Sequence, residues 1–222
     1  MTAAASPLPG LRIPPLSVRV RTVFRSFWIL ARDPGRLDQV LVLGQTINLG
    51  ALKRSIGRLE ADPAGRTLLD EQPRIDRKSV DFEALERLPD GTLGREYVRF
   101  LADNGITPDA FEDAPDVGDP KAAYIMLRIR QTHDLWHVLT GYEADVRGEI
   151  LLQAFSYAQL RAPSAALIAL FGTVRWLGRW PGQLAAVREA YRRGVRTKFL
   201  ATFRWEDHWA SPVAELRAKL SA

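Results

Sequence analysis

Apolar side chains recur along most of this chain at three- and four-residue spacings, the period of helices that turn one face to a core. Val40, Leu41, Leu43, Ile47, Leu49 and Leu52 make one broad apolar face, and Ile150, Leu151, Ala154, Phe155 and Ala158 make another. No alternating run bounded by a hairpin turn competes with them. The punctuation is helical as well: Asp33-Pro34, Asp62-Pro63, Thr107-Pro108, Asp119-Pro120 and Ser211-Pro212 each pair a capping side chain with proline. The side-chain oxygen takes a free amide of the first turn, where the N–H that proline lacks has no helical partner anyway. The pattern predicts an all-α fold, a single compact multi-helix domain over residues 17–222. Residues 1–16 are expected to be extended or disordered, because Pro7, Pro9, Pro14 and Pro15 break any early helix.

Composition adjusts this picture in three ways. At 222 residues and 46% hydrophobic content, one sizeable core is within reach. With no cysteine, disulfides, thiolate zinc sites and thiol catalysis are excluded, so any metal must use imidazole and carboxylate. The net charge of +5 invites an anionic partner, and its distribution favours lipid over nucleic acid. Arg12, Arg19, Arg21 and Arg25 alternate with Val20, Phe24, Phe27 and Trp28, while Arg175, Arg179, Arg188, Arg192, Arg193 and Arg196 flank Trp176 and Trp180. A solvated basic face is the plain alternative. No stretch approaches the roughly 18–20 apolar residues of a membrane span; the longest, Ala165 to Val174, reads as a core helix or a lipid-contacting wall. The acidic, proline-rich stretch 104–119, with Asp109, Glu112, Asp113 and Asp116, reads as a solvated connection, with a lid as the alternative.

The chemistry concentrates in one segment. Two of the three histidines, His133 and His137, stand four residues apart. At about 100° per residue these positions lie within roughly 40° of each other on a helix face, so both imidazoles can reach one divalent cation. Glu149 follows after eleven further residues, and a straight helix would place it about 160° away from His133. Gly141, however, suits the left-handed end of one helix and Asp145 the cap of the next, so Glu149 in that next first turn can face back. Asp134, inside the pair, is a fourth ligand or a group that positions an imidazole. The spacing resembles the His-Glu-x-x-His helix of zinc proteases, with a shorter internal acid. Met126, Arg130, His133 and His137 fall on or near one helix stripe, a mixture suited to a pocket wall; an Arg130–Asp134 surface pair is the plain alternative. Gln153 and Ser156 continue the line of Glu149, placed to orient a ligand or contact substrate, or to form a polar edge. Such a donor set leaves coordination positions open, and it suits zinc, iron, manganese or cobalt without choosing among them.

Tyr124 to Leu160, with its His-Asp-x-x-His and trailing Gly148-Glu149, resembles the Coq4 family of ubiquinone (coenzyme Q) biosynthesis proteins. The likeness extends to Asp33-Pro34 with Gly44-Gln45-Thr46, Asp62-Pro63-Ala64-Gly65-Arg66, Leu88-Pro89-x-Gly91-Thr92-x-Gly94 with Tyr97, Asp119-Pro120 before Ala123-Tyr124, Trp205-Glu206 and Leu216-Arg217. One departure is Ala190-Tyr191-Arg192-Arg193-Gly194, where the family pattern has a Pro-Trp-Ala step. The resemblance implies a metal-dependent oxidative decarboxylase acting on a polyprenylated 4-hydroxybenzoate-derived ring, in which the C1 carboxylate is replaced by hydroxyl. Arg130 and Asp134 would be its catalytic side chains, with Arg130, Gln153 and Ser156 against substrate. It also implies other ubiquinone-biosynthesis proteins and an anionic membrane surface as partners, no nucleic acid, and compatibility with a homodimer. The expected location is the bacterial cytoplasm, peripheral on the inner face of the cytoplasmic membrane, or the matrix face of the mitochondrial inner membrane in a eukaryote. The alternative is a non-catalytic polyisoprenoid-binding organiser of a membrane-associated complex; a metal-dependent hydrolase ranks last.

Overall fold

Helix α8, Val146–Leu160, is the axis around which the chain is built. Ile150, Leu152, Ala154, Phe155, Ala158 and Leu160 are buried on several of its sides, and a helix apolar nearly all round is stable only inside others. The computed structural model describes residues 15–32, 47–111 and 117–221. Among them there is no strand, only isolated bridges at Thr92–Pro212 and Thr197–Ser221, so the all-α expectation holds.

The helices before this axis are α1 (Leu16–Arg32), α2 (Leu49–Ala61), α3 (Pro63–Glu71), α4 (Phe82–Glu86), α5 (Leu93–Asp103), α6 (Pro120–Gln131) and α7 (His133–Thr140). Those after it are α9 (Pro163–Trp176), α10 (Gln183–Arg196) and α11 (Val213–Leu220). Ala154, Ala169 and Ala190 meet where α8, α9 and α10 pack together, small side chains that let the backbones approach. On the other side, Trp136, Phe155, Tyr97, Ile56 and Trp205 anchor the main core. Burying each such side chain contributes roughly 1.5–3 kcal/mol before conformational entropy is counted.

Two of the cap-proline pairs start helices as expected. Asp62 accepts from the amides of Ala64 and Gly65 ahead of Pro63, and Asp119 from that of Ala122 ahead of Pro120. Thr107-Pro108 instead opens a single 3-10 turn, Pro108–Phe111. At the fifth pair the helix begins one residue late, at Val213, because the Ser211 carbonyl accepts the Leu93 amide and Pro212 bridges to Thr92. These bonds tie the start of α5 to that of α11. Asp33-Pro34, residues 40–46, most of the N-terminal segment and Glu112, Asp113 and Asp116 lie outside the described residues.

The stripe of Met126, Arg130, His133 and His137 is not one continuous helix. Thr132 ends α6 and starts α7, its hydroxyl folded back onto the Arg128 carbonyl at 2.9 Å. Arg130 and the histidines therefore sit on consecutive helices. The stretch Ala165 to Val174 is a helix with one buried and one exposed face. Ala165, Ala169 and Thr173 are buried, while Leu170 and Val174 are 56% and 63% exposed.

Candidate metal centre

The turn between α7 and α8 brings the ligands together. Gly141 ends α7 at φ 74°, a left-handed conformation in which glycine carries no side-chain penalty, and its amide donates to the His137 carbonyl at 2.7 Å. Asp145 caps α8, accepting from the Gly148 amide at 2.7 Å. A Cβ on Gly148 would lie 1.9 Å from the Glu143 carbonyl oxygen. Only glycine lets the loop close this tightly against the turn that carries Glu149.

His133 Nε2 then lies 3.5 Å from Glu149 Oε2, and His137 Nε2 lies 3.1 Å from Glu149 Oε1. One ligand atom from each of His133, His137 and Glu149 falls within 4.8 Å of the others, the one such cluster among the described residues. The two rings meet edge-on, with centroids 5.0 Å apart. His137 is buried, and Phe100 of α5 stacks on it at 5.2 Å. Its Nδ1 lies 2.9 Å from the Tyr142 carbonyl. A carbonyl only accepts, so Nδ1 carries a proton, and Nε2 faces the Glu149 carboxylate either as an N–H donor or, in the neutral ring, as a lone pair. Two acceptors at that separation repel unless a positive charge lies between them, either a proton or a metal ion. The donor set fits a divalent cation.

The electrostatics agree. Burial pushes the Glu149 pKa up, but hydrogen bonds and charge from His133 and His137 hold it well below the usual carboxylate range. Burial pulls His133 down, and Glu149 and Asp134 more than reverse this. Asp134 stands outside the three-residue cluster. As the next residue after His133, it projects about 100° around the helix. Its charge reaches Tyr97, whose pKa is raised first by burial and then by Asp134. Burial also raises Asp134 itself, against the pull of both histidines. Gln153 is half-buried and Ser156 buried on α8, and Arg130 is half-buried two residues before the break at Thr132.

Phe100, the Tyr142 carbonyl and the arginines that close the end of α7 had no signal in the local sequence. Arg193 donates to the carbonyls of Thr140 (2.6 Å) and Leu139 (3.4 Å), and Arg217 to those of Leu139 (2.7 Å) and Val138 (3.1 Å). Arg193 is thus part of the interior wiring, not one of a row of free surface cations. Arg192 beside it is exposed.

Comparison with known proteins places this geometry. The family profile described as "Coenzyme Q (ubiquinone) biosynthesis protein Coq4" matches residues 15–222. A mitochondrial ubiquinone biosynthesis protein COQ4 homolog of Xenopus tropicalis is 37% identical over 189 residues, covering 85% of this chain and 68% of that protein. Its counterpart in Nematostella vectensis is 35% identical over 199 residues, 85% of this chain and 93% of that one. The crystal structure of a putative ubiquinone biosynthesis protein from Nostoc punctiforme superimposes with a TM-score of 0.74 at 25% identity, covering 91% of this chain and 96% of that one. With the profile spanning nearly the whole sequence and the fold shared, the chain belongs to the Coq4 family of coenzyme Q (ubiquinone) biosynthesis proteins.

Proposed function

We propose that this chain carries out a metal-dependent oxidative decarboxylation in ubiquinone biosynthesis, replacing the C1 carboxylate of a polyprenylated 4-hydroxybenzoate-derived ring with hydroxyl. The observation that carries this reading is the convergence of His133, His137 and Glu149, one ligand atom from each within 4.8 Å of the others, a donor set that suits a divalent cation. When bound, zinc supplies Lewis acidity, and iron, manganese or cobalt adds redox chemistry with oxygen. His133, His137 and Glu149 hold the ion with positions left for substrate. The forked guanidinium of Arg130 grips the ring carboxylate until it leaves. Asp134, its pKa raised by burial against the pull of both histidines, stands beside the site as a group that can take or give a proton, and Gln153 and Ser156 line the approach along α8. The carboxyl carbon departs as carbon dioxide. One atom of dioxygen enters at the vacated ring carbon, and the other becomes water with two electrons from an external reductant and two protons.

The prenyl tail sets where this happens, because moving it into water costs about 0.8 kcal/mol for each CH₂ exposed. No helix among the described residues is long and apolar enough to cross a membrane. The outer face of α9 supports peripheral contact with the inner leaflet, whether cytoplasmic or matrix-facing. It exposes Leu170, Val174 and Leu177, while Arg175 and Arg179 sit 5.3 and 5.1 Å from the Trp176 ring. The same face also favours a second reading, a polyisoprenoid-binding organiser that gathers other ubiquinone-biosynthesis proteins.

Expression without those proteins separates the two. Protein loaded with each metal in turn and given the carboxylated prenyl-phenol, dioxygen and a two-electron reductant should release carbon dioxide and form hydroxylated ring in equal amounts. Retention of the lipid with no product under any metal would select the organiser.

A further inference from the structure

We infer that Arg193 is a positioning residue of the metal centre, holding the His137 imidazole in register through the loop that joins α7 to α8. The metal reading above is needed for its effect on affinity, not for its geometry. The Nδ1 side of the His137 ring is held by one bond, to the Tyr142 carbonyl at 2.9 Å, beside the Phe100 stack and the Nε2 contact with Glu149. That carbonyl belongs to a loop, and a loop carbonyl stays in place only if something holds the loop.

Arg193 reaches it from α10, some fifty positions along the chain. Its guanidinium takes the Thr140 carbonyl at 2.6 Å and the Leu139 carbonyl at 3.4 Å, and its central carbon lies 5.6 Å from the Tyr142 ring centroid. One group thus holds both the last carbonyls of α7 and the side chain of the residue whose backbone orients His137. Its charge also suits a helix C-terminus. Arg217 is the natural comparison. It grips the Leu139 and Val138 carbonyls, a pair one residue further back along α7 than the one Arg193 holds. Without Arg193 the loop relaxes and Nδ1 loses its fixed acceptor. The tautomer with its proton on Nε2, which blocks the metal-binding lone pair, then becomes populated.

The experiment uses the full chain and two readouts. The first is the His137 Nδ1 proton in metal-free protein, seen by NMR as an exchange-protected signal. The second is affinity for zinc, measured by chelator competition. Arg193→Ala should lose the protected proton and bind zinc on the order of 10- to 100-fold more weakly, the range for outer partners of a metal-bound histidine. Arg217→Ala should lower the melting temperature while keeping both. Tyr142→Leu, which removes the ring and leaves the carbonyl, should shift both readouts in the direction of Arg193→Ala by less, and it serves in its place if Arg193→Ala does not fold. Arg193→Lys, which keeps the charge without the fork, should recover part of each. A wild-type protein that binds no zinc, with an Arg193 variant that still loses the Nδ1 proton, would count against the metal reading and for the positioning role. Retention of both the protected proton and full zinc affinity in a folded Arg193 or Tyr142 variant overturns the inference.

Discussion

Two seams carry polar groups into the core, and they are built on opposite principles. Arg128, 3% exposed, makes a forked pair with Glu206 of the Trp205–His208 turn, with Arg128 Nη2 2.8 Å from Glu206 Oε2. The Pro73 and Phe203 carbonyls take further guanidinium hydrogens at 3.5 and 3.4 Å. Donors meet acceptors throughout, and the pair is complete in itself. The α7–α8 seam buries His137 just as deeply, yet it turns two imidazoles onto one carboxylate. A balanced buried seam is a structural device. Two imidazoles converging on one carboxylate also make a donor set for a cation.

The sharpest way to break that contrast is to test for the ion. Purified protein should hold one divalent metal per protomer, and His133→Ala, His137→Ala and Glu149→Ala should each abolish stoichiometric binding. Equal metal content in all four proteins would remove the distinction between the seams. The pH dependence has a definite sign. In metal-free protein the raised His133 pKa gives stability that is present in acid and lost as pH rises through it. The depressed Glu149 pKa gives stability that is present at neutral pH and lost as pH falls through it. Metal must displace the His133 proton, so the rise in melting temperature on loading should grow as pH rises through the raised His133 pKa. Calorimetry with and without metal checks this, and a pH-independent rise contradicts it.

The balanced seam should answer differently. Glu206→Gln leaves the Arg128 charge buried without its counter-ion and should cost roughly 3–5 kcal/mol of unfolding free energy, with metal content unchanged in the folded fraction. Glu149→Gln should differ by losing metal, and it should also remove the neutral-pH stability that the depressed Glu149 pKa gives the metal-free protein. Chemical denaturation with metal analysis separates them; a shared response would show that the two seams are one class. Gly148→Ala tests the frame that aims Glu149. A Cβ there meets the Glu143 carbonyl, so the first turn of α8 must shift, at about 1–3 kcal/mol and with weakened metal binding.

How much of this was legible beforehand follows the same division. His133, His137 and Glu149 could be joined from the sequence because every step was local: four-residue spacing, a glycine end and an aspartate cap. The break at Thr132 was not, since threonine is tolerated inside helices and only the packing of α6 and α7 decides. Trp205-Glu206 stood out as a pattern, but its partner Arg128 is 78 positions away. Arg193 was assigned to a membrane-facing group from its charged neighbours. Helix-end carbonyls carry no sequence signature, so nothing local marks the arginine that caps them from another helix.

The outer face of α9 inverts the interior problem, with apolar groups outside where the seams put polar groups inside. Leu170, Val174 and Leu177 are 56%, 63% and 48% exposed, so replacing Leu170 and Val174 by serine should change folding stability by no more than about 0.5 kcal/mol each. Against liposomes the same changes should matter, because burying each side chain in the interface is worth roughly 1–2 kcal/mol less once its methyl groups are gone. Arg192→Glu, at an exposed position, removes attraction to anionic headgroups, on the order of 1 kcal/mol per cation, without touching the Arg193 clamp. Its effect should fade as salt shortens the Debye length, whereas the serine effect should persist. Co-sedimentation across a salt series, with and without anionic lipid, reads both. Binding that ignored the serine changes would show that the exposed stripe on α9 is ordinary surface, and that only the α7–α8 seam departs from a self-sufficient fold.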